Sequence, residues 1–161
     1  MNRSGKSQLR GLFVSGAVCF AAATIGSLAT TPNIGGWYAA LHKPAWTPPN
    51  WVFGPVWTAL YLAMAVAAWL VWRRTAWPES RGPLGWFLVQ LALNAAWSWL
   101  FFGAKMPGAA LAELIVLWVA IAVTLALFWR RSAVAGMLLV PYLLWVTYAA
   151  TLNLAIWRLN G

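Results

Sequence analysis

Side chains that carry chemistry are scarce in this sequence. Among 161 residues there is one cysteine, one histidine and two carboxylates, Glu79 and Glu113. Cys19 stands alone inside an apolar run, so it has no disulfide framework to join. No two His, Cys or acidic residues have ligand spacing, which argues against a metal site built by the protein. The same scarcity leaves no nucleophile–base pair and no acid–base dyad. Charged residues make up only 8% of the chain, too few to solvate one face of every helix or strand in a water-soluble domain.

What remains is apolar. The chain is 63% hydrophobic, and the apolar residues gather into five runs, at about 9–29, 51–72, 84–102, 109–129 and 134–157. Each is near or above the ~20 residues that a helix needs to cross a bilayer. The runs are too long and too weakly alternating for barrel strands, and backbone in lipid must satisfy its hydrogen bonds within a helix or a closed barrel. The expected fold is all-α: a five-transmembrane-helix bundle in a single membrane domain, residues 1–161. The first run is longer than the apolar core of a signal peptide, so a retained span is expected.

The net charge is +9, which in another setting would suggest nucleic acid. Here the basic residues sit between the apolar runs, where they anchor to headgroups and set topology. Arg3, Lys6, Arg10, Arg73, Arg74, Arg81, Arg130 and Arg131 fall on one side; Lys43, Lys105 and Arg158 fall on the other. The asymmetry puts the N-terminus in the cytoplasm of a bacterial cell, with the protein in the cell membrane. That count presumes an inner membrane, and an outer-membrane location is the alternative.

Fourteen tryptophans are present, most near the ends of the runs, as an aromatic belt requires. Trp57, Trp97, Trp118 and Trp145 lie deeper. Two connecting segments are long: the polar stretch 73–83 and the stretch 30–50. In the second, Gly35-Gly36 and Pro44, Pro48 and Pro49 should break regular structure. Trp37, Tyr38, Leu41 and Trp46 are nonetheless too apolar for a loop in water. A short helix at 37–41 followed by a proline-bounded turn would fold over the end of the bundle as a lid, or lie on the headgroups. Pro55, Pro83 and Pro107 suit first-turn positions, and Pro141 should kink the last span.

Polar residues inside lipid are costly and call for a reason. Gln90, Asn94 and Trp97 share one face of the third run; Trp145, Ala149 and Asn153, with Tyr148 beside them, share one face of the fifth; Trp57, Tyr61 and Met64 share one face of the second. If these faces converge, they line a flat-walled cavity for a planar apolar ligand with polar edges. The competing reading is interhelical glue, which suits Gln90 and Asn153 equally well. Glu113, about one turn into its run, is expected to reach the interface or to pair with Lys105 rather than to serve a proton relay, which would call for several carboxylates or histidines. Ala92 with Ala96, and Ala22 with Gly26, permit close helix packing.

Three stretches carry a resemblance: KPAWTPPNWVFGPVWTALY from Lys43 to Tyr61, QLALNAAWSWLFFG from Gln90 to Gly103, and PYLLWVTYAATLNLAIWRLN from Pro141 to Asn160. In this order they resemble the TspO/MBR family, the translocator or peripheral benzodiazepine receptor-like proteins. The resemblance, from about Trp37 onward, suggests a bacterial member. It implies a five-helix membrane bundle, commonly a homodimer, with a first loop closing over a cavity. It implies porphyrin (protoporphyrin-like tetrapyrrole) as ligand and no required cofactor, with ligand-binding residues at Trp57, Asn94, Trp97, Trp145 and Ala149. Tyr61 and Tyr148 join these on the residue spacing above.

The lid of the family maps onto Trp37, Trp46, Pro48, Pro49 and Trp51. Lys43 and Lys105 would meet the propionates at the mouth. The implied role is a tetrapyrrole sensor, carrier or regulator. The alternatives are light-dependent porphyrin degradation, with Trp51 or Trp145 as redox partner, and passive transport of porphyrin or lipid-like molecules. A sterol partner is not expected, because Tyr148 is followed by no basic residue before Arg158, beyond the spacing of the sterol motif. Some relatives place tryptophan where this chain has Ala109, which would thin the pocket wall here.

Overall fold

The structure is a computed structural model and describes residues 4–161. Arg3, counted above among the basic residues, lies outside the described residues. Five helices run α1 (Gly5–Asn33), α2 (Asn50–Arg74), α3 (Trp77–Ser98), α4 (Pro107–Arg131) and α5 (Ala133–Asn160). All five are long and apolar enough to cross a bilayer. The protein is a five-helix, multi-pass membrane bundle.

Local chemistry sets the helix ends. The Ser4 hydroxyl accepts from the Ser7 amide and starts α1. Ser132 alone separates α4 from α5; its hydroxyl accepts both the Ala135 amide and the Arg74 guanidinium. Arginine pairs close α2 (Arg73, Arg74) and α4 (Arg130, Arg131), where positive charge meets the negative end of the helix dipole. Arg131 reaches Glu79 at 3.1 Å. Short connections of this kind make neighbours antiparallel, and the basic residues from 6 to 131, Lys43 and Lys105 excepted, gather at one end.

Helix α1 packs on α2 and α3, α4 on α3 and α5, and α5 on α2, so the ring runs α1, α2, α5, α4, α3. The larger apolar core, with Met64, Leu117, Ile121, Phe128 and Tyr142 at its centre, fills the middle of the bundle and its basic half. A smaller one, around Tyr38, Phe101, Phe102 and Ile156, fills the other end.

Three details differ from the sequence reading. Helix α1 does not stop near residue 29. It continues through Asn33 into a π-helical turn, Ile34–Tyr38, giving one span of 34 residues, Gly5–Tyr38. Gly35-Gly36 therefore lie within helical backbone. A mid-helix glycine costs about 1 kcal/mol, whereas unpaired peptide groups near lipid cost several, so the helix persists. The short helix expected at 37–41 is the end of this one, and the true loop is 41–49. Second, only Thr75 and Ala76 separate α2 from α3, so most of 73–83 is helical. Third, Pro55 and Pro83 sit inside α2 and α3, more than a turn from their starts, while Pro107 does occupy the first turn.

Close packing against tryptophan constrains Gly136, where a side chain would meet backbone as well as ring. A Cβ at Gly136 would lie 2.5 Å from Trp129 Cε3 and 3.0 Å from Trp129 Cα, whereas one at Gly16 would meet nothing within 4 Å. Gly136→Ala is expected to lower stability by about 1–3 kcal/mol through overpacking. Gly16→Ala is expected to be neutral or stabilising by up to ~1 kcal/mol. Melting curves in detergent compare the two; equal effects would contradict this packing.

Candidate ligand-binding site

Between the two apolar cores lies a cavity of about 520 Å³. Its walls come from α1, α2, α3 and α5, and from two π-helical turns, Ile34–Tyr38 and Trp99–Gly103. Such turns swing residues out of regular helical phase and recur at functional sites. Here they face each other: the rings of Tyr38 and Phe102 stand 5.5 Å apart, those of Trp37 and Phe101 5.6 Å.

Trp57, Tyr61, Asn94, Trp97, Trp145, Tyr148 and Ala149 all line this one cavity. Rings succeed one another around it. Trp57 lies 5.7 Å from Tyr61 on its own helix and 6.2 Å from Tyr142 on α5. Trp97 stacks on Phe101 at 5.2 Å and 23°. Trp145 meets Phe53 at 6.0 Å and Tyr148 at 5.7 Å. No lining residue is charged. The cavity thus suits a flat, neutral, apolar body, with any charged substituent left at an opening.

The amides hold the floor and far wall. Asn94, buried, accepts a hydrogen bond from the Tyr61 hydroxyl and donates to the Tyr142 hydroxyl at 2.9 Å, tying α3 to α2 and α5. Asn153 accepts from the Trp97 indole at 3.1 Å and donates to the Pro107 carbonyl at 2.8 Å, tying α5 to α3 and the start of α4. Both residues are helix glue and cavity wall at once. Gln90 lies deeper, away from the cavity, with its amide nitrogen 3.8 Å from Met64 Sδ and Oε1 unpartnered. The indole N–H groups of Trp57 and Trp145 have no partner among the described residues, so they are free to donate to a ligand.

The residues assigned to the lid are placed differently. Trp37, Trp46, Pro48, Pro49 and Trp51 do not line the cavity. Trp37 backs the wall, edge-on to Phe101 and Phe102. Trp46 is half exposed, its ring 5.7 Å from Tyr148, whose hydroxyl donates to the Trp46 carbonyl at 3.0 Å. Trp51, at the start of α2, is 76% exposed, so of the two redox candidates only Trp145 lines the cavity.

The loop is fastened rather than loose. The Asn160 side chain at the end of α5 accepts from the His42 amide at 2.9 Å and donates to the His42 carbonyl at 2.8 Å. Lys43 Nζ donates to the carbonyls of Tyr38, Ala39 and Leu41 at 2.7–3.2 Å, closing the end of the first span. Asn160→Ala is expected to speed exchange of the His42 amide about tenfold, the loss of one net hydrogen bond. Hydrogen exchange read by mass spectrometry over 41–47 checks this; unchanged exchange would mean that the clasp carries no load.

Two expectations about charge are overturned. Lys43 is committed to helix-end carbonyls and is not free for a ligand propionate. Glu113 does not pair with Lys105: both its carboxyl oxygens are buried and unpartnered, while Lys105 is exposed in a left-handed turn (φ 57°) before α4 begins. Glu113 lies well inside α4 and is drawn into the bundle instead of reaching back to that turn. Among the described residues, no three His, Cys, Asp or Glu are placed to hold a metal ion.

Sequence spacing missed Phe53, Tyr38, Phe101, Phe102 and the whole α1 wall. Phe53 was visible one turn before Trp57. In α1 the signal was a run of hydroxyls, Thr24, Ser27, Thr30 and Thr31, in an otherwise apolar span.

The model of the TspO/MBR family matches residues 15–158. The chain belongs to that family. It is 42% identical over 136 residues to the tryptophan-rich protein TspO of Archaeoglobus fulgidus, covering 84% of this chain and 88% of that one. It is 45% identical over 126 residues to the human translocator protein, covering 77% and 75%. With the tryptophan-rich sensory protein of Cereibacter sphaeroides it shares 43% identity over 145 residues, 89% of this chain and 87% of that one. In this TspO/MBR chain the matched region takes in every cavity-lining residue.

Proposed function

We propose that this protein binds a flat tetrapyrrole of the protoporphyrin kind in the cavity and acts as a membrane sensor, carrier or regulator of it. The observation that carries the reading is the convergence of Trp57, Trp97 and Trp145, from three helices, on one uncharged hollow of about 520 Å³. That volume lies within the 300–1,000 Å³ typical of small-molecule sites. Aromatic walls favour a planar π-system by offset or edge-on contact. The name of one relative, tryptophan-rich sensory protein, supports a sensing role. The gathering of basic residues at the end opposite the loop supports a cytoplasmic N-terminus in a bacterial cell membrane. A homodimer follows the expectation for the family.

The test is a titration of the purified protein in lipid nanodiscs with protoporphyrin, read by tryptophan fluorescence. Saturation near one ligand per chain is expected. Quenching that rises linearly without saturating, as for porphyrin dissolved in lipid, would count against the proposal.

A further inference from the structure

The cavity is walled unevenly. Its liners on α3 and α5 and in the second π-turn are buried or half-buried, among them Asn94, Phe102, Asn153 and Trp145. Its exposed liners all belong to α1 and α2: Phe20, Ser27 and Thr31 on one side, Asn50, Gly54 and Thr58 on the other. The side that opens is therefore the seam between these two helices.

That seam is closed at one end and parted at the other. Toward the basic end, the Trp69 indole donates to the Gln8 carbonyl at 3.0 Å, and Gly11 lies directly against the Trp72 ring. Midway, the Phe20 and Tyr61 rings stand 6.3 Å apart. Toward the loop, three of the hydroxyls that edge the seam turn back onto their own helices. Ser27 donates to the Thr24 carbonyl at 2.8 Å, Thr30 to Gly26 at 3.0 Å and Thr58 to Gly54 at 2.9 Å. Hydroxyls satisfied in this way can border lipid with no donor left unpaired. A Cβ added at Gly54 would meet nothing within 4 Å, so open space lies beside α2 at this level. The loop above is held by the Asn160, Lys43 and Tyr148 hydrogen bonds described above.

We infer that the ligand enters and leaves sideways from the bilayer, through a window between α1 and α2 bordered by Ser27, Thr31, Gly54 and Thr58, while the loop stays closed. This rests on the reading of the cavity as a ligand site and adds where its ligand comes from. The occupant is a flat apolar molecule already dissolved in lipid, and occupancy follows its mole fraction in the membrane rather than its concentration in water. The uncharged lining fits that route, since the apolar macrocycle passes from lipid to cavity without being exposed to water.

The test uses the full-length protein in phosphatidylcholine vesicles, with protoporphyrin as probe and tryptophan quenching followed by stopped flow. Gly54→Phe narrows the window from α2 and Thr31→Phe narrows it from α1, so the measurement survives if one variant folds poorly. Either is expected to slow association and dissociation alike by about tenfold or more, as an access gate does. Asn160→Ala, which releases the loop, is expected to change neither rate. Diluting a fixed amount of protoporphyrin into more lipid is expected to lower the association rate in proportion. Wild-type rates in both window variants, together with faster exchange in Asn160→Ala, would place entry at the loop and overturn the lateral route. Faster dissociation with unchanged association in the window variants would mark a damaged site rather than a narrowed entrance, and would also overturn it. If the wild type itself shows no saturable quenching, the ligand reading falls and the window with it. A wild type that binds while both window variants keep its rates removes the window alone.

Discussion

Replacing Trp57 and Trp145 together by alanine is expected to weaken protoporphyrin binding about a hundredfold. Each ring is worth roughly 0.5–1.5 kcal/mol in aromatic contact beyond its buried area. Two rings then give about 1–3 kcal/mol, to which the lost apolar contact area adds, and each 1.4 kcal/mol is a factor of ten. The two tryptophans stand on different helices, α2 and α5, and both line the cavity. Neither belongs to the fully buried set at the centre of the bundle, so the double variant should still fold. Trp86→Ala is the control: Trp86 is exposed on α3, away from the cavity, and its loss should leave the dissociation constant unaltered. The comparison is a titration of all three proteins in nanodiscs. A double variant that binds as tightly as wild type would mean that these indoles are structural.

Asn94→Leu is expected to destabilise the bundle by about 2 kcal/mol. A leucine leaves the Tyr61 hydroxyl without its acceptor and the Tyr142 hydroxyl without its donor, and both residues are buried. Interhelical hydrogen bonds in membranes average only ~0.6 kcal/mol, because the unfolded chain in lipid also finds partners. Two orphaned groups in a packed interior cost more, at about 1–3 kcal/mol each before any offset. The desolvation term should therefore win. It predicts its own rescue: adding Tyr61→Phe and Tyr142→Phe to Asn94→Leu removes the orphans and should recover most of the loss. Unfolding in mixed detergent measures it. A loss below ~0.5 kcal/mol, or no rescue, would show that this triad adds little to the fold.

Helix number and the cavity-facing stripes were legible in the sequence because both are local properties. A run of some twenty apolar residues fixes a span, and spacings of three and four fix a face; Asn94 with Trp97, and Trp145 with Ala149, needed nothing else. What spacing could not show was anything set by a partner distant in sequence. Lys43 looked like a free cation until the end of the first span delivered three carbonyls to it. Glu113 looked close enough to Lys105, but α4 carries it into the bundle while Lys105 stays outside. The glycine pair at 35–36 read as a break because propensity was weighed as it would be in water. Near lipid the backbone keeps its hydrogen bonds, and the helix yields only by widening into a π-turn. That turn, with its counterpart at 99–103, brings Tyr38, Phe101 and Phe102 to the cavity, out of step with any regular helical period.

Ligand binding in this cavity is tested most directly by where a bound tetrapyrrole sits, in a structure of the protein with protoporphyrin at saturating concentration. The expected result is a macrocycle inside the cavity, within about 4 Å of the rings of Trp57, Trp97 and Trp145. A macrocycle lying instead against the lipid-facing groove of Val18, Ile25 and Leu88, with the cavity empty, would contradict it.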